Sequence, residues 1–251
     1  MAKVSDDPDE CLWCERSPVD WSHNRPPLFP IELVEVPAYT PLNFMKEIVL
    51  STSDIEGMRK YLLSKNVHIQ PAGDKRNPEL RVVDPEGHSI AFVEDQNIKT
   101  TLRAINGGAW KLIHSGFVVH DRAAEDKFYK DILGFHVYWH GGMKDGQDNW
   151  VDMQVPDGTD WIEYMLGVPE NASHKTLGVM NHIALGVPDI HKAQEQLIKN
   201  GFKPTEEPKI GRDGKWQLNL YDPDDTRVEL MEFTPTEKPC CAEYTGPHPH
   251  P

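Results

Sequence analysis

NHIALGVPDI (Asn181–Ile190) lines up without a gap on KEIVLSTSDI (Lys46–Ile55), hydrophobic residue under hydrophobic residue, with Asp-Ile closing both. At the second position the two differ in chemistry: His182 in one, Glu47 in the other. The likeness runs on. IHKAQEQLIKNGF follows the first stretch, with Ile190, Ala193, Leu197 and Ile198 apolar; IEGMRKYLLSKNV follows the second, with Ile55, Met58, Leu62 and Leu63 apolar. Both keep the spacing of an amphipathic helix with one buried stripe. Two strand-like runs around a tight turn come next, LNLYDPDDTRVELME (Leu218–Glu232) and LRVVDPEGHSIAFVE (Leu80–Glu94). Asp-Pro followed by small or acidic residues presets such a turn.

A third copy lies between them. LIHSGFVVHD (Leu112–Asp121) reads as a strand. RAAEDKFYKDILGF (Arg122–Phe135) reads as a helix with Ala124, Phe128 and Ile132 on its buried stripe and Gly134 at its end. HVYWH and NWVDMQV read as strands, Pro156-Asp157-Gly158 as a turn and DWIEYML (Asp160–Leu166) as the closing strand. Each copy is strand, helix, three strands. The recurrence of that order at near-constant spacing makes the chain an α+β protein of tandem βαβββ modules.

Composition narrows the partners. With 26 basic and 40 acidic residues the formal charge is −14, the wrong sign for nucleic acid, which needs clustered Lys and Arg. No apolar run reaches the ~18 residues of a membrane span. The start, MAKVSDDPDE, is polar and acidic, so the chain as written is expected in the cytoplasm; a periplasmic or secreted location follows if a signal peptide has been removed. Cysteines come as Cys11-x-x-Cys14 and Cys240-Cys241, for which disulfides, a zinc site and free thiols are all open.

The pleat selects candidate ligands. Side chains alternate across a strand, so His114, Gly116 and Val118 share a face, as do His182, Ala184 and Gly186. On the closing strands Trp161, Glu163 and Met165 share one face, and Arg227, Glu229 and Met231 share another. In the frame of the repeat His114 stands opposite His182, and Glu163 opposite Glu229. A pseudo-twofold would bring two imidazoles and two carboxylates together, a donor set for one divalent ion of the Zn, Ni, Fe or Mn type. A lone strand histidine is more often structural and a lone strand glutamate solvated; four at matched positions favour a metal. The first copy has Glu47 and Ala91 at these positions and is expected to be metal-free.

LIHSGFVVHDRAAEDKFYKDILGF, NHIALGVPDI and DPDDTRVELMEF resemble the vicinal oxygen chelate superfamily, the group of glyoxalase I, extradiol dioxygenases and bleomycin-resistance proteins. The resemblance is strong over 110–233 and weaker over 42–95. It implies that the last two modules pair into an open, curved eight-stranded half-barrel around a metal site, with His114, Glu163, His182 and Glu229 as ligands and Glu163 or Glu229 able to serve as catalytic base. It also implies a layout. Residues 1–41 are an N-terminal arm, the remnant of a lost module, with IELVEV (Ile31–Val36) as its last strand. Residues 42–96 are a degenerate module without metal ligands and 97–109 a linker. Residues 110–177 and 178–233 are the two complete modules, and 234–251 a Pro-rich tail lying extended over the surface. The N-terminal arm, the tail or a second subunit, in a homodimer, would cover the unpaired first module.

The implied function is a metal-dependent lyase or isomerase acting on a small oxygenated substrate. One alternative is an extradiol-type ring-cleaving dioxygenase using Fe(II) and O2, which needs only His114, His182 and Glu229. The other is a non-catalytic ligand-binding protein of the resistance type. Among remaining polar groups His120, His136 and His140 read as surface residues, with acid–base groups near the site as the alternative, and Tyr164 as packing; Arg212 and Lys215 read as solvated residues of a Gly-containing loop, with a lid over the cup as the alternative. Trp110, Trp139, Trp150, Trp161 and Trp216 read as core or as the lining of an aromatic pocket.

Overall fold

The computed structural model describes residues 45–71, 79–94 and 111–251. The N-terminal arm with Ile31–Val36, Cys11 and Cys14, as well as Trp110 and the 97–109 linker, lie outside the described residues.

Three segments open in the same way. Strand β1 (Ile48–Thr52) leads to helix α1 (Ile55–Ser64), β4 (Lys111–Val119) to α2 (Arg122–Glu125), and β8 (His182–Val187) to α4 (Ile190–Lys199). The Asp that closes each first strand is the helix N-cap. Asp54 accepts from Gly57 N, Asp121 from Ala124 N and Asp189 from Lys192 N, at 2.7, 3.0 and 3.0 Å. Each cap satisfies an otherwise orphaned amide, worth ~1 kcal/mol. That is the physical content of the repeated Asp in the alignment.

The remaining strands are β2 (Glu79–Val83), β3 (Ser89–Glu94), β5 (His136–Gly141), β6 (Trp150–Gln154), β7 (Trp161–Leu166), β9 (Lys209–Ile210), β10 (Trp216–Tyr221) and β11 (Arg227–Glu232). A short helix, α3 (His174–Met180), which the sequence pattern does not announce, leads into β8. In every module the first strand pairs parallel with the last: β1 with β3, β4 with β7, β8 with β11. The first module makes a separate sheet of order β1-β3-β2, with only an isolated bridge, Ile69 to Val82, where a further strand is expected. The other two share one open, curved eight-stranded sheet of order β5-β6-β7-β4-β8-β11-β10-β9, joined by the antiparallel pair β4–β8.

Three local readings of the sequence need correction. Leu63 and Ile198, assigned to the buried stripes of α1 and α4, are 56% and 53% exposed. At about 100° per residue, eight residues bring a side chain some way round from the stripe centre, whereas seven return it close to that centre; Leu62 and Leu197 are buried accordingly. The helix after β4 changes at Asp126 into a π-helical stretch (Asp126–Ile132). Its wider turn sends Glu125, Phe128 and Tyr129 inward together, in place of the expected Ala124-Phe128-Ile132 stripe. The third concerns the tail. Cys240, Ala242 and Tyr244 pack against the buried cluster of Ile113, Tyr138, Trp139 and Trp161, so the tail is part of the core's wall.

The first module docks on the outer face of the large sheet. Ile48, Leu62, Leu80, Ile90 and Phe92 share one apolar cluster with Phe117, Phe128, Tyr129, Ile162 and Tyr164. Removing each such side chain from water contributes ~2 kcal/mol. Tyr61 adds a hydrogen bond from its hydroxyl to Ile132 O, 2.7 Å. Tyr164 is therefore packing, as its alternation with Glu163 requires. The opposite face of the large sheet is left for chemistry.

Candidate metal centre

The β4–β8 pair sets the geometry. In its register Gly116 stands beside His182 and Ala184 beside His114, so each imidazole extends over a residue with almost no side chain. A Cβ added to Gly116 would lie 2.1 Å from His182 Cε1. The flanking strands complete the figure, since Gly116 pairs with Glu163 and Ala184 with Glu229. The four residues picked from the sequence thus come together about a local twofold between β4 and β8.

Their polar atoms converge. His114 Nε2 and His182 Nε2 are 3.1 Å apart. Glu163 Oε2 is 3.2 Å from His182 Nε2 and 3.7 Å from His114 Nε2; Glu229 Oε2 is 3.5 and 3.8 Å from the same atoms. Donor atoms each about 2.1 Å from one ion stand about 3.0 Å apart at right angles and about 3.4 Å apart in a tetrahedron. The observed separations fall in and just above that range; His114, Glu163 and His182 bring ligand atoms within 4.8 Å of one another and fit one divalent ion, with Glu229 beside the two imidazoles.

The protonation pattern suits ligands. Burial, outweighing the pull of Glu163 and Glu229, lowers the His114 pKa to about 4 and keeps the ring neutral. Burial alone would raise Glu229, but its hydrogen bond to His182 and the Arg227 guanidinium hold it down at about 2. Burial and Arg227 disfavour a proton on His182, but the carboxylates of Glu163 and Glu229 outweigh them and raise its pKa above the usual value, so an ion would take the place of a proton there. Arg227 Nη2 lies 2.8 Å from His182 Nε2 and can donate to it when that nitrogen carries no proton, the form in which it would bind an ion. The other ring nitrogen, Nδ1, lies 2.9 Å from Met180 O and donates to it, which fixes that tautomer.

The cup opens into a cavity of about 350 Å³. Trp139, Trp150 and Trp161 line it, with Lys209 and Arg212 among its polar residues. Trp216 meets His191 edge-on instead, ring centroids 4.8 Å apart. Of the peripheral histidines, His140 pairs with Asp148 at 2.8 Å in an exposed position.

Sequence reasoning missed four residues here. Arg227 was placed on the correct face but not in the cup. Asp152 pairs with Glu163 across β6–β7 and is buried, and burial pushes its carboxyl upward; its place was legible in the alternation of NWVDMQV. Lys215, expected in solvent, has no exposure at all. Its Nζ sits 4.6 Å from the Trp161 ring centre, 5.2 Å from Tyr244 and 5.3 Å from Tyr138, a cage of π faces to which the tail adds Tyr244. Asp213, beside it in the chain, is buried too, and burial pushes its pKa to about 7. Arg212 also departs from the solvated reading: Nε donates to Gly142 O at 3.1 Å and the side chain lines the cavity. Cys240 and Cys241 form a disulfide with each other, so neither bonds a partner from the other end of the chain.

Residues 111–230 match the profile of the Glyoxalase/Bleomycin resistance protein/Dioxygenase superfamily. This part of the chain is similar to that family. Its fold has solved counterparts at low sequence identity. A catechol 2,3-dioxygenase is 14% identical with a TM-score of 0.55, covering 82% of this chain and 75% of its own. The 2,3-dioxygenase LapB from Pseudomonas sp. KL28 is 16% identical with a TM-score of 0.56, covering 82% and 73%. The 2,2',3-trihydroxybiphenyl 1,2-dioxygenase from Sphingomonas wittichii strain RW1 is 13% identical with a TM-score of 0.54, covering 74% and 68%. No curated protein matches the chain. Among the described residues no helix is long and apolar enough to cross a membrane.

Proposed function

We propose that the chain is a metal-dependent enzyme in which His114, Glu163, His182 and Glu229 hold one divalent ion, and Glu163 also moves a proton on a small oxygenated substrate. The convergence of four ligand atoms from four strands carries this reading. A divalent ion held there would supply Lewis acidity towards oxygens of the substrate. Glu163 and Glu229 bring two negative charges, which a dication would offset.

Glu163 is the natural base. Its side chain is 13% exposed, against 5% or less for the other three, so it is the most open of the four towards the cavity, which His114 and Glu229 also line. A carboxylate in that place can take a proton from carbon next to a carbonyl and return it elsewhere, the chemistry of an isomerase or lyase. The three tryptophans shape the slot and keep water from the exchanging proton. Lys209 and Arg212 line the cavity, each paired with a carboxylate, Glu206 and Asp145 respectively.

A second reading, ring cleavage with Fe(II) and O2, draws support from the tryptophan-walled cavity, which suits a planar ring. It needs His114, His182 and Glu229 but no proton acceptor at Glu163. The two readings separate in one comparison. The metal-loaded protein is incubated in deuterated water with small α-oxygenated carbonyl compounds, and in an oxygen electrode with catechols. Deuterium incorporation that falls ~10²–10⁴-fold in Glu163→Gln supports the isomerase or lyase reading. Oxygen uptake that survives Glu163→Gln replaces it with the dioxygenase reading.

A further inference from the structure

A second group of ligand-type side chains lies where the first module meets the middle one. The turn between β2 and β3 runs Asp84-Pro85-Glu86-Gly87-His88. Asp84 Oδ1 accepts from Glu86 N at 3.1 Å and from His88 N at 2.8 Å, which closes the turn. The corresponding turn of the last module does the same, with Asp222 Oδ1 accepting from Asp224 N and Thr226 N. There the turn is complete with a threonine in the place of His88. The first module adds more. Asp84 Oδ2 is free of the turn and lies 2.7 Å from His88 Nδ1 and 3.0 Å from the Tyr129 hydroxyl. His88 stacks on Phe117, centroids 4.5 Å apart, on the face of β4 that turns away from the cup.

Glu125 comes from the other module. It lies four residues beyond its helix cap, where α4 has buried Ala193 and α1 has Met58. A carboxylate thus occupies a core position, with no exposure. Its Oε1 accepts from Glu86 N at 3.0 Å, and no donor among the described residues reaches Oε2. Asp84 is only 4% exposed. Two buried carboxylates side by side cannot both stay ionised without a compensating cation. Glu86 is occupied elsewhere, accepting from the amides of His120 and Asp121. Among the described residues, the one basic side chain paired with Asp84 is His88.

We propose that Asp84, His88 and Glu125 form a second divalent-cation site that clamps the first module to the middle one. One ligand atom from each lies within 4.8 Å of the others. Two carboxylate oxygens and one imidazole nitrogen suit Zn²⁺ or Mn²⁺; a Ca²⁺ site would be all oxygen. A proton shared by the two carboxyls is the simpler way to relieve the charge, and burial does raise Glu125 to about 8. A shared proton would use Glu125 and Asp84 alone, whereas an ion would draw on His88 as a third ligand, which the last module's turn lacks. The partly open His88 side chain supplies the entry path.

The test is the number of zinc ions retained after the metal-stripped full-length chain is loaded and desalted. It is read in the parent, Glu125→Gln, His88→Thr and His182→Ala. Glu125→Gln keeps the shape of the side chain, and His88→Thr copies the turn of the last module, so at least one is expected to fold as the parent does. The expected result is one ion fewer in Glu125→Gln or His88→Thr, independent of the ion lost in His182→Ala, and a zinc-dependent rise in melting temperature that disappears in the same variants. A parent-like count in both variants, or a parent whose every ion vanishes in His182→Ala, would overturn the proposal. A single ion lost in His88→Thr but kept in His182→Ala would uphold this site and remove the cup from consideration.

Discussion

The first module and the last two have the same backbone register and different chemistry. Residue 47 stands two before Val49, which pairs with Ala91; His114 stands two before Gly116, which pairs with Glu163; His182 stands two before Ala184, which pairs with Glu229. The neighbouring strand adds Arg81, Asp152 and Asn219 in matching places. Four substitutions therefore separate a half-site from a structural patch. Glu47 replaces the histidine, Val49 the small residue, Ala91 the glutamate and Arg81 the polar neighbour. Arg81 Nε and Nη2 reach Glu47 Oε1 and Oε2 at 2.8 and 3.2 Å, and Ser89 donates to Oε1 at 3.0 Å. A guanidinium now neutralises the carboxylate. The βαβββ frame fixes where the side chains stand; only their identity makes a metal cup.

The largest effect expected from this contrast is at the histidine position. His182→Ala removes a ligand whose nitrogen lies within 3.5 Å of three other candidate ligand atoms. Metal affinity should fall by more than the ~10–100-fold typical of an outer partner, and turnover should go with it. Glu47→Ala, at the equivalent place in the first module, should leave the cup's metal content and turnover unchanged. Elemental analysis of both variants beside the parent checks the pair. Loss of the cup ion in Glu47→Ala, or its retention in His182→Ala, breaks the comparison.

Much of this was legible because it depends on period and spacing. The module order, the Asp that closes each first strand and the meeting of the four candidate positions follow from alternation along strands and from a repeat that keeps its frame. What escaped depends on contacts between distant parts. Nothing local to IGRDGKWQ marks Lys215 for burial; its cage needs Tyr138 from β5, Trp161 from β7 and Tyr244 from the tail. The π-helical stretch escaped because FYKDI is equally consistent with an α-helix, and it is the fit of Glu125 and Tyr129 against the first module's turn that accompanies the wider coil. Arg227 was on the correct face, but alternation says nothing of how far a long side chain leans towards a neighbouring strand.

An intermediate effect is expected at the small residue. Gly116→Ala would set a methyl group 2.1 Å from His182 Cε1, a distance that the ring must escape by moving. The tautomer-fixing bond from Nδ1 to Met180 O would have to lengthen with it. The expected outcome is a folded chain whose metal affinity is ~10–100-fold weaker, the scale of a disturbed supporting contact. Isothermal titration with zinc measures it, and circular dichroism confirms the fold. Val49→Gly in the first module opens the same place beside no histidine, so metal affinity should not change. An unaltered affinity in Gly116→Ala would show that the imidazole has room to spare and that the small residue at this position is incidental.

The smallest effect expected is on the ion pair that stands in for a metal. Glu47→Gln keeps the size of the side chain and its acceptor for Ser89 but removes the charge facing Arg81. The pair is bidentate, yet Arg81 and Glu47 remain 35% and 25% exposed, so water and salt screen much of the attraction. A loss of ~1 kcal/mol or less is expected, a melting shift of a few degrees at most for a chain of this size. The salt dependence is the sharper readout. The difference between parent and variant should shrink as ionic strength rises, because the Debye length drops to about 3 Å at 1 M. A penalty of several kcal/mol that persists in high salt would instead mean that Glu47 and Arg81 are shielded in the folded protein. The first module's metal-facing side would then be covered, and its ion pair would organise that contact as the cup organises a metal.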